Sequence, residues 1–350
     1  MASDIIHGVR RARAPPPTAD SAALERKKQA KEQAKIDEFT SLSLQLQTKA
    51  QTQDYTSDTL ALTSRVLLLN PEYQTGWSIR RRVLINGILP TMSNEDDKVK
   101  QLEQDVQLTN QALQYNPKNY SVWEHRKWCL QTMGTKANWK SELKMVELYL
   151  DKDGRNFHTW DYRRYLVSTL NALPRTEGVP RPTTESELTF TTKKISASFS
   201  NFSAWHYRTK LLNKLWQERG WDEKHEDRRR QVDQEFDLIK QAVWSDPNDQ
   251  SAWLYHRWLV GKGDLEIVQR EIAGIEELLE EEPDSRLCLD ALVYYKRLLV
   301  SLLESDDETR EERERLNVQC LEMLDKLQTV DPLRRNRYKD LALHIVPHRR

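Results

Sequence analysis

The chain has no excess of either charge. Among its 350 residues, Lys plus Arg and Asp plus Glu each number 54, and the formal net charge is zero. General binding to nucleic acid or to a membrane needs a net or strongly localised positive field, and the overall balance argues against it. Cysteine is scarce: Cys129, Cys288 and Cys320, with no CxxC pair. That speaks against a disulfide framework or a thiolate metal cluster and for reduced thiols in a cytoplasmic protein. No apolar run reaches the ~18 residues of a membrane span. The first residues lack the apolar stretch of a signal peptide. Arg10-Arg11-Ala12-Arg13 has the sign of a transit peptide, but Asp4 and Pro15-Pro16-Pro17 oppose an amphipathic helix there. A Gly-rich phosphate loop, HExxH, GxSxG and a paired Cys/His cluster are all missing, so no self-contained active site is expected.

What the chain does have is one short phrase, repeated. Its clearest copy is Asn116-Pro117-Lys118-Asn119-Tyr120-Ser121-Val122-Trp123-Glu124-His125-Arg126-Lys127. The others are built around Asn70-Pro71 with Trp77 and Arg80-Arg81, Asn156 to Trp160 with Arg163-Arg164, Asn201 to Trp205 with Arg208, and Asp246-Pro247 with Trp253 and His256-Arg257. The Trp-to-Trp steps are 46, 37, 45 and 48 residues. A fixed phrase at such a period signals stacked supersecondary units. Asn119, Asn156, Asn201 and Asp249 each stand four residues before their Trp, where a short polar side chain caps a new helix. Apolar helical stretches precede each start, such as Leu60–Leu69 and Leu108–Tyr115. One unit is therefore a helix, a turn and a helix, and stacking buries faces that neither helix buries alone.

The expected fold is all-α: a right-handed superhelical stack of antiparallel helical hairpins. Residues 1–20 form a basic, Pro-rich, disordered tail, 21–56 a charged leading helix region, and 57–345 the repeat domain with five clear copies and two degenerate ones. Interruptions are expected over Asn86–Asp97, Asn171–Ser186 and Arg219–Arg229. In the sixth copy Leu289 follows Glu282-Pro283 where Trp belongs, with no Arg in place; in the seventh Tyr338 follows Asp331-Pro332. Trp77, Trp123, Trp160, Trp205 and Trp253 are read as core. Successive helix starts carry Lys118, Asn119 and Tyr120, then Arg155, Asn156 and His158, then Asn201. Helix N-termini with added cations suit an anion, and a phosphate-bearing ligand competes there with plain surface ion pairing. His125, His158, His206 and His256 lie within three residues of a repeat Trp and fit hydrogen-bonded helix-face histidines better than ligands.

The repeated P-x-N/D-x-x-x-W-x-x-R phrase, over about residues 57–340, resembles the α-subunit repeat of protein prenyltransferases. NPKNYSVWEHR, RNFHTWDYRR, FSNFSAWHYR and DPNDQSAWLYHRW, with the closing Asp331-Pro332-Leu333-Arg334, are most similar to the Rab geranylgeranyltransferase (type II) α subunit, in a short form without leucine-rich and immunoglobulin-like domains. The resemblance implies a crescent wrapped around a β subunit that binds the catalytic zinc, and an enzyme active only as that heterodimer. It implies transfer of geranylgeranyl from geranylgeranyl diphosphate to C-terminal cysteines of Rab GTPases, presented by a Rab escort protein. It places Lys118 beside the diphosphate as a catalytic residue, with Tyr120 at the active-site mouth. Asn119, Asn156, Phe157, His158 and Asn201 become the substrate-binding edge. Phe157 stands where farnesyl relatives have Tyr, and His7-Gly8 resembles a type II start whose histidine reaches the partner's zinc; no metal is expected in this chain itself. Neither nucleic acid nor a membrane span is expected, and the location is cytoplasmic. Two other readings stay open: the α subunit shared by farnesyltransferase and the type I enzyme, and a non-catalytic helical-repeat scaffold. The steps exceed the ~34 residues of a tetratricopeptide unit, which counts against the scaffold.

Overall fold

The computed structural model describes residues 5–6, 9–10, 19–304 and 307–345. Two short strands open it, Ile5–Ile6 (β1) and Val9–Arg10 (β2), paired antiparallel with Ile5 opposite Arg10. The rest of the 1–18 tail, His7 included, lies outside the described residues. Fifteen α-helices follow among the described residues. The first, α1, is Ala19–Gln51. The rest come in pairs: α2 Ser57–Leu69 with α3 Gln74–Val83, α4 Glu95–Tyr115 with α5 Tyr120–Met133, α6 Trp139–Lys152 with α7 Phe157–Ala172, and α8 Thr184–Ala197 with α9 Phe202–Arg219. They continue as α10 Glu226–Ser245 with α11 Gln250–Val260, α12 Leu265–Glu281 with α13 Arg286–Leu302, and α14 Asp307–Val330 with α15 Arg335–Leu343.

The turn inside each of these seven hairpins is four residues long: 70–73, 116–119, 153–156, 198–201, 246–249, 282–285 and 331–334. Connections between hairpins vary. After α3 the chain tightens into a π-helical turn, Leu84–Ile88, and a 3₁₀ turn, Leu89–Thr91. The sequence reading ended the helix at Asn86, but the backbone stays coiled to Thr91. Gly87 is required there, because a Cβ would run into the backbone carbonyl oxygen of Tyr55. The third interruption is also shorter than expected, 220–225, since α9 runs to Arg219 and α10 starts at Glu226. His225 caps α10 by accepting from the Asp227 N–H at 3.2 Å.

The chain divides into two compact units, Met1–Trp139 with Leu173–Val179, and Lys140–Ala172 with Pro180–Arg350. In the first, Leu42 and Leu46 of α1 close a core with Leu62, Val66, Ile79 and Val83 of the first hairpin. In the second, Leu289 and Val293 of α13 pack with Cys320, Leu324 and Leu327 of α14 and Tyr338 of α15. The three cysteines are free and buried. No described helix is long and apolar enough to cross a membrane.

Candidate functional site

The hairpin turns are built alike. The indole Nε1 of Trp77, Trp123, Trp160, Trp205 and Trp253 donates to the carbonyl six residues earlier, on Pro71, Pro117, Gly154, Phe199 and Pro247, at 2.7–2.9 Å. All five indoles are buried, so each closes its turn from inside while filling the core. The capping side chains close it from the other end. Asn119 Oδ1 accepts from the Val122 N–H, Asn156 Oδ1 from His158 and Thr159, Asn201 Oδ1 from Ala204 and Asp249 Oδ1 from Ser251.

Three residues after the Trp comes a buried arginine. Arg80 Nη1 donates to the Leu60 carbonyl, Thr63 Oγ1 and Ser64 Oγ, which lie 20, 17 and 16 residues earlier. Arg126 uses the same offsets on Val106, Thr109 and Asn110, and Arg208 on Leu188, Thr191 and Thr192. The other side of the guanidinium forks onto an acid: Arg80 on Asp105, Arg163 on Glu187, Arg208 on Glu235, at 2.6–3.1 Å. Each acid is then bonded by the residue two after the next Trp: His125 to Asp105, Tyr207 to Glu187 and Tyr255 to Glu235, with Tyr162 similarly on Glu142. The repeat arginine is thus a rung between neighbouring hairpins within each unit.

In the fifth copy His256 takes that slot, its Nε2 donating to Glu271 at 2.9 Å and its Nδ1 sharing a 2.6 Å hydrogen bond with the Tyr295 hydroxyl. Arg257 instead lies outside, over the Tyr294 ring. In the sixth copy the rung moves one turn along α13: Lys296 Nζ reaches Glu276, 20 residues back, and Gln319, 23 ahead.

Lys118 and Tyr120 are exposed at the start of α5 in the first unit, with Asn119 buried between them. The Lys118 N–H donates to Asn116 Oδ1 at 3.1 Å, and the Asn116 amide itself donates to Glu72 in the preceding hairpin turn. Asn156, Phe157, His158 and Asn201 belong to the second unit. There Asn156, His158 and Asn201 are buried and Phe157 is exposed, its ring 4.0 Å from that of His158. The helix starts of this unit are fastened in a row. Arg155 Nε and Ser251 Oγ both donate to the Ser200 carbonyl, and Ser285 Oγ to the Pro247 carbonyl. Burial pushes the Asp249 carboxyl up, but Ser200, the hydrogen-bonded Ser251 N–H and nearby Arg155 hold it below the usual carboxylate range. Exposed Phe157 and Phe202 stand on this row, and the Phe202 ring stacks on His206. Burial, Lys210 and Arg164 together lower the His206 imidazole pKa.

Among the described residues, one trio has metal-ligand atoms within 4.8 Å: Asp105, His125 and Cys129, all buried. It does not fit zinc. Both Asp105 oxygens already hold Arg80, a fixed cation, and burial pushes the Cys129 thiol well above its ordinary value, away from the thiolate a zinc ligand needs. Burial also lowers the His125 pKa against the pull of Asp105, so the ring is neutral and gives its Nε2–H to that carboxylate. Its Nδ1 is left as a lone pair without a partner. The second unit also has a cleft of about 220 Å³ lined by Phe236, Lys240, Trp244, His256, Arg270 and Glu271.

Four segments, 102–133, 139–170, 184–215 and 232–263, match the protein prenyltransferase alpha subunit repeat. Hairpins closed by a Trp and joined by an arginine rung are thus the form this repeat takes here. The chain is 34% identical over 334 residues to the geranylgeranyl transferase type-2 subunit alpha of Schizosaccharomyces pombe, covering 89% of this chain and 92% of that protein. To the protein of the same name from Candida albicans it is 28% identical over 373 residues, 95% and 96% of the two chains. The Homo sapiens counterpart is 34% identical over 259 residues; the match covers 74% of this chain and 42% of that longer protein. A solved structure of Candida albicans protein geranylgeranyltransferase-I complexed with GGPP superposes with a TM-score of 0.61 at 21% identity, over 89% of this chain and 91% of that one, and shares the fold. The chain belongs to the geranylgeranyl transferase type-2 subunit alpha family.

Proposed function

We propose that this chain is the α half of a cytoplasmic protein geranylgeranyltransferase. With a β subunit it moves geranylgeranyl from geranylgeranyl diphosphate to C-terminal cysteines of Rab GTPases that an escort protein presents. The match along nearly the whole fission-yeast relative carries the reading. Zinc, held by the β subunit, supplies the activated thiolate by lowering the thiol pKa.

This chain's share is electrostatic. As the donor's C–O bond breaks, negative charge grows on the departing diphosphate. Lys118 stands exposed one residue before the Asn119 cap, at an end of α5 where backbone N–H groups and the helix dipole favour an anion. An ammonium placed there stabilises the transition state more than the ground state. In the first unit Tyr120 walls the mouth of the site beside Asn119; in the second unit Asn156, Phe157, His158 and Asn201 serve as substrate contacts. Lys118→Ala in the α–β complex is expected to lower single-turnover transfer roughly 10- to 1000-fold, with folding and β-subunit binding unchanged. Transfer at the wild-type rate overturns the role of Lys118. Failure of every prenyltransferase β subunit to co-purify overturns the whole reading. A farnesyl donor preferred over geranylgeranyl assigns the chain to the α subunit shared with the type I enzyme.

A further inference from the structure

We infer that the exposed half of α1 is a docking strip for an anionic lipid bilayer. From Ser21 to Glu38 every side chain that the structure describes is exposed, and burial begins at Phe39. The exposed stretch, 18 residues, is roughly 27 Å of helix. Within it, Arg26–Lys35 holds Arg26, Lys27, Lys28, Lys31 and Lys35 against Glu32, five charges less one, or +4 in ten residues of a chain whose total is zero. Lys27, Lys31 and Lys35 are four apart and share one face, with Lys28 beside them. Glu25 and Glu32, seven apart, lie along a different stripe.

Among the described residues none of these five cations has an ion-pair partner. The acids that end the stretch are engaged: Asp37 accepts from Gln33 at 2.8 Å, and Glu38 pairs with Arg65 of α2 at 3.5 Å. Over all of 21–38 the five cations meet four acids, Glu25, Glu32, Asp37 and Glu38, so the positive charge is confined to Arg26–Lys35, where no ion pair holds the lysines and their localised field can meet an anionic surface.

The chemistry favours lipid headgroups over other polyanions. The stretch has no aromatic residue to stack on bases, as single-stranded nucleic acid binding uses. Leu24 and Ile36 are its only large apolar side chains, too few for the spaced anchors by which a helix grips a protein groove, or for insertion below the headgroups. Lysines are hydrated point charges, suited to the diffuse potential of a bilayer rather than to a bidentate clamp. Adsorption is thus electrostatic, reversible and salt-sensitive. Its use in catalysis rests on the function proposed above: an enzyme that takes a membrane-partitioning donor and makes lipid-bearing products works beside the bilayer. The docking itself is independent of that reading.

Flotation of the full chain in complex with its partner, on phosphatidylcholine vesicles with and without phosphatidylserine, tests this. The complex is expected to float only with phosphatidylserine and to be released by high salt. Lys27→Gln, Lys28→Gln, Lys31→Gln and Lys35→Gln together keep the helix propensity and are expected to lower vesicle affinity roughly 100-fold or more. The four Lys→Arg changes are expected to restore it, and transfer to soluble substrates is expected to be unaffected in all variants. Equal binding to neutral vesicles, or undiminished binding by the Gln variant, overturns the inference. Tighter binding to polyuridylate RNA or to a polyglutamate peptide than to the vesicles also overturns it, assigning the strip to that class.

Discussion

Arg208→Ala tests the rungs where they are best connected. Arg208 forks onto Glu235 at 2.6 and 2.7 Å and gives three more bonds to the Leu188 carbonyl, Thr191 and Thr192 at 2.9–3.0 Å. The side chains are 9% and 3% exposed, so water does not take over when one is removed. Truncation leaves the Glu235 carboxylate buried with Tyr255 as its remaining partner shown here. Removing one member of a buried pair costs about 3–5 kcal/mol, and the three stranded acceptors push the value toward the upper end. Against a total stability of about 5–15 kcal/mol, that is a large share. Replacing both partners by Met removes the orphan charge and is expected to cost less than Arg208→Ala alone. Urea unfolding of the two single variants and the double gives the coupling directly, expected to exceed about 2 kcal/mol. An Arg208→Ala protein within about 0.5 kcal/mol of wild type, or a double variant that loses the sum of the singles, refutes the rung as a structural unit.

Trp205→Ala empties a buried indole site and unlatches the Phe199 carbonyl, and is expected to cost about 3–5 kcal/mol in the same assay; lost activity with an unchanged melting temperature would show the residue to be functional instead. Gly87→Ala puts a methyl against the Tyr55 carbonyl and is expected to lower the melting temperature, while Gly134→Ala, with open space around its Cβ, is limited to the strain of its positive φ of 56°. Acid is expected to destabilise the chain in two stages. His125 is held neutral below its ordinary value, so only the unfolded chain takes up that proton and stability falls as pH drops below about 6.5. For Asp105, burial pushes the carboxyl up but the bonds from His125 and Arg80 outweigh it, so its contribution is present above about pH 4 and lost below. His125→Gln is expected to flatten the upper stage in pH-dependent unfolding, and an unchanged slope refutes the assignment.

The hairpins were legible because their signals are local: an Asn or Asp cap, a Trp four residues on, an apolar run before. Family likeness, not periodicity, singled out Lys118 from the other exposed lysines, since nothing in its spacing separates it from a surface charge. The sequence pattern allows the repeat arginine to bond a neighbouring carbonyl or acid but does not say which acid, because the acids lie on another helix, 24, 25 and 27 residues after Arg163, Arg80 and Arg208. One regular signal was present, however. Asp105, Glu142, Glu187 and Glu235 each precede by 20 residues the His or Tyr that binds them. The Trp slot also misled at the sixth copy: Leu289 follows the Pro at the usual distance, yet the cation of the rung, Lys296, sits a turn further along. His256 shows the converse: the slot three residues after the Trp is kept, but residue type alone would have credited the role to its neighbour Arg257.

The indole-to-carbonyl latch has a consequence for how such a chain can grow. A bond that always reaches back six residues acts as a ruler, and every hairpin turn measures four residues whether or not Trp still stands in its slot. An insertion there would break the latch and the cap together. At the opposite ends of the hairpins no ruler operates, and the connections range from four residues at 261–264 to eleven at 84–94 and 173–183. Extra segments, whether a loop, a tag or a whole domain, are therefore admitted at one end of the hairpins and refused at the other: in each unit the turns, those that carry Lys118 and Asn156 among them, keep their four residues while the connections are free to vary.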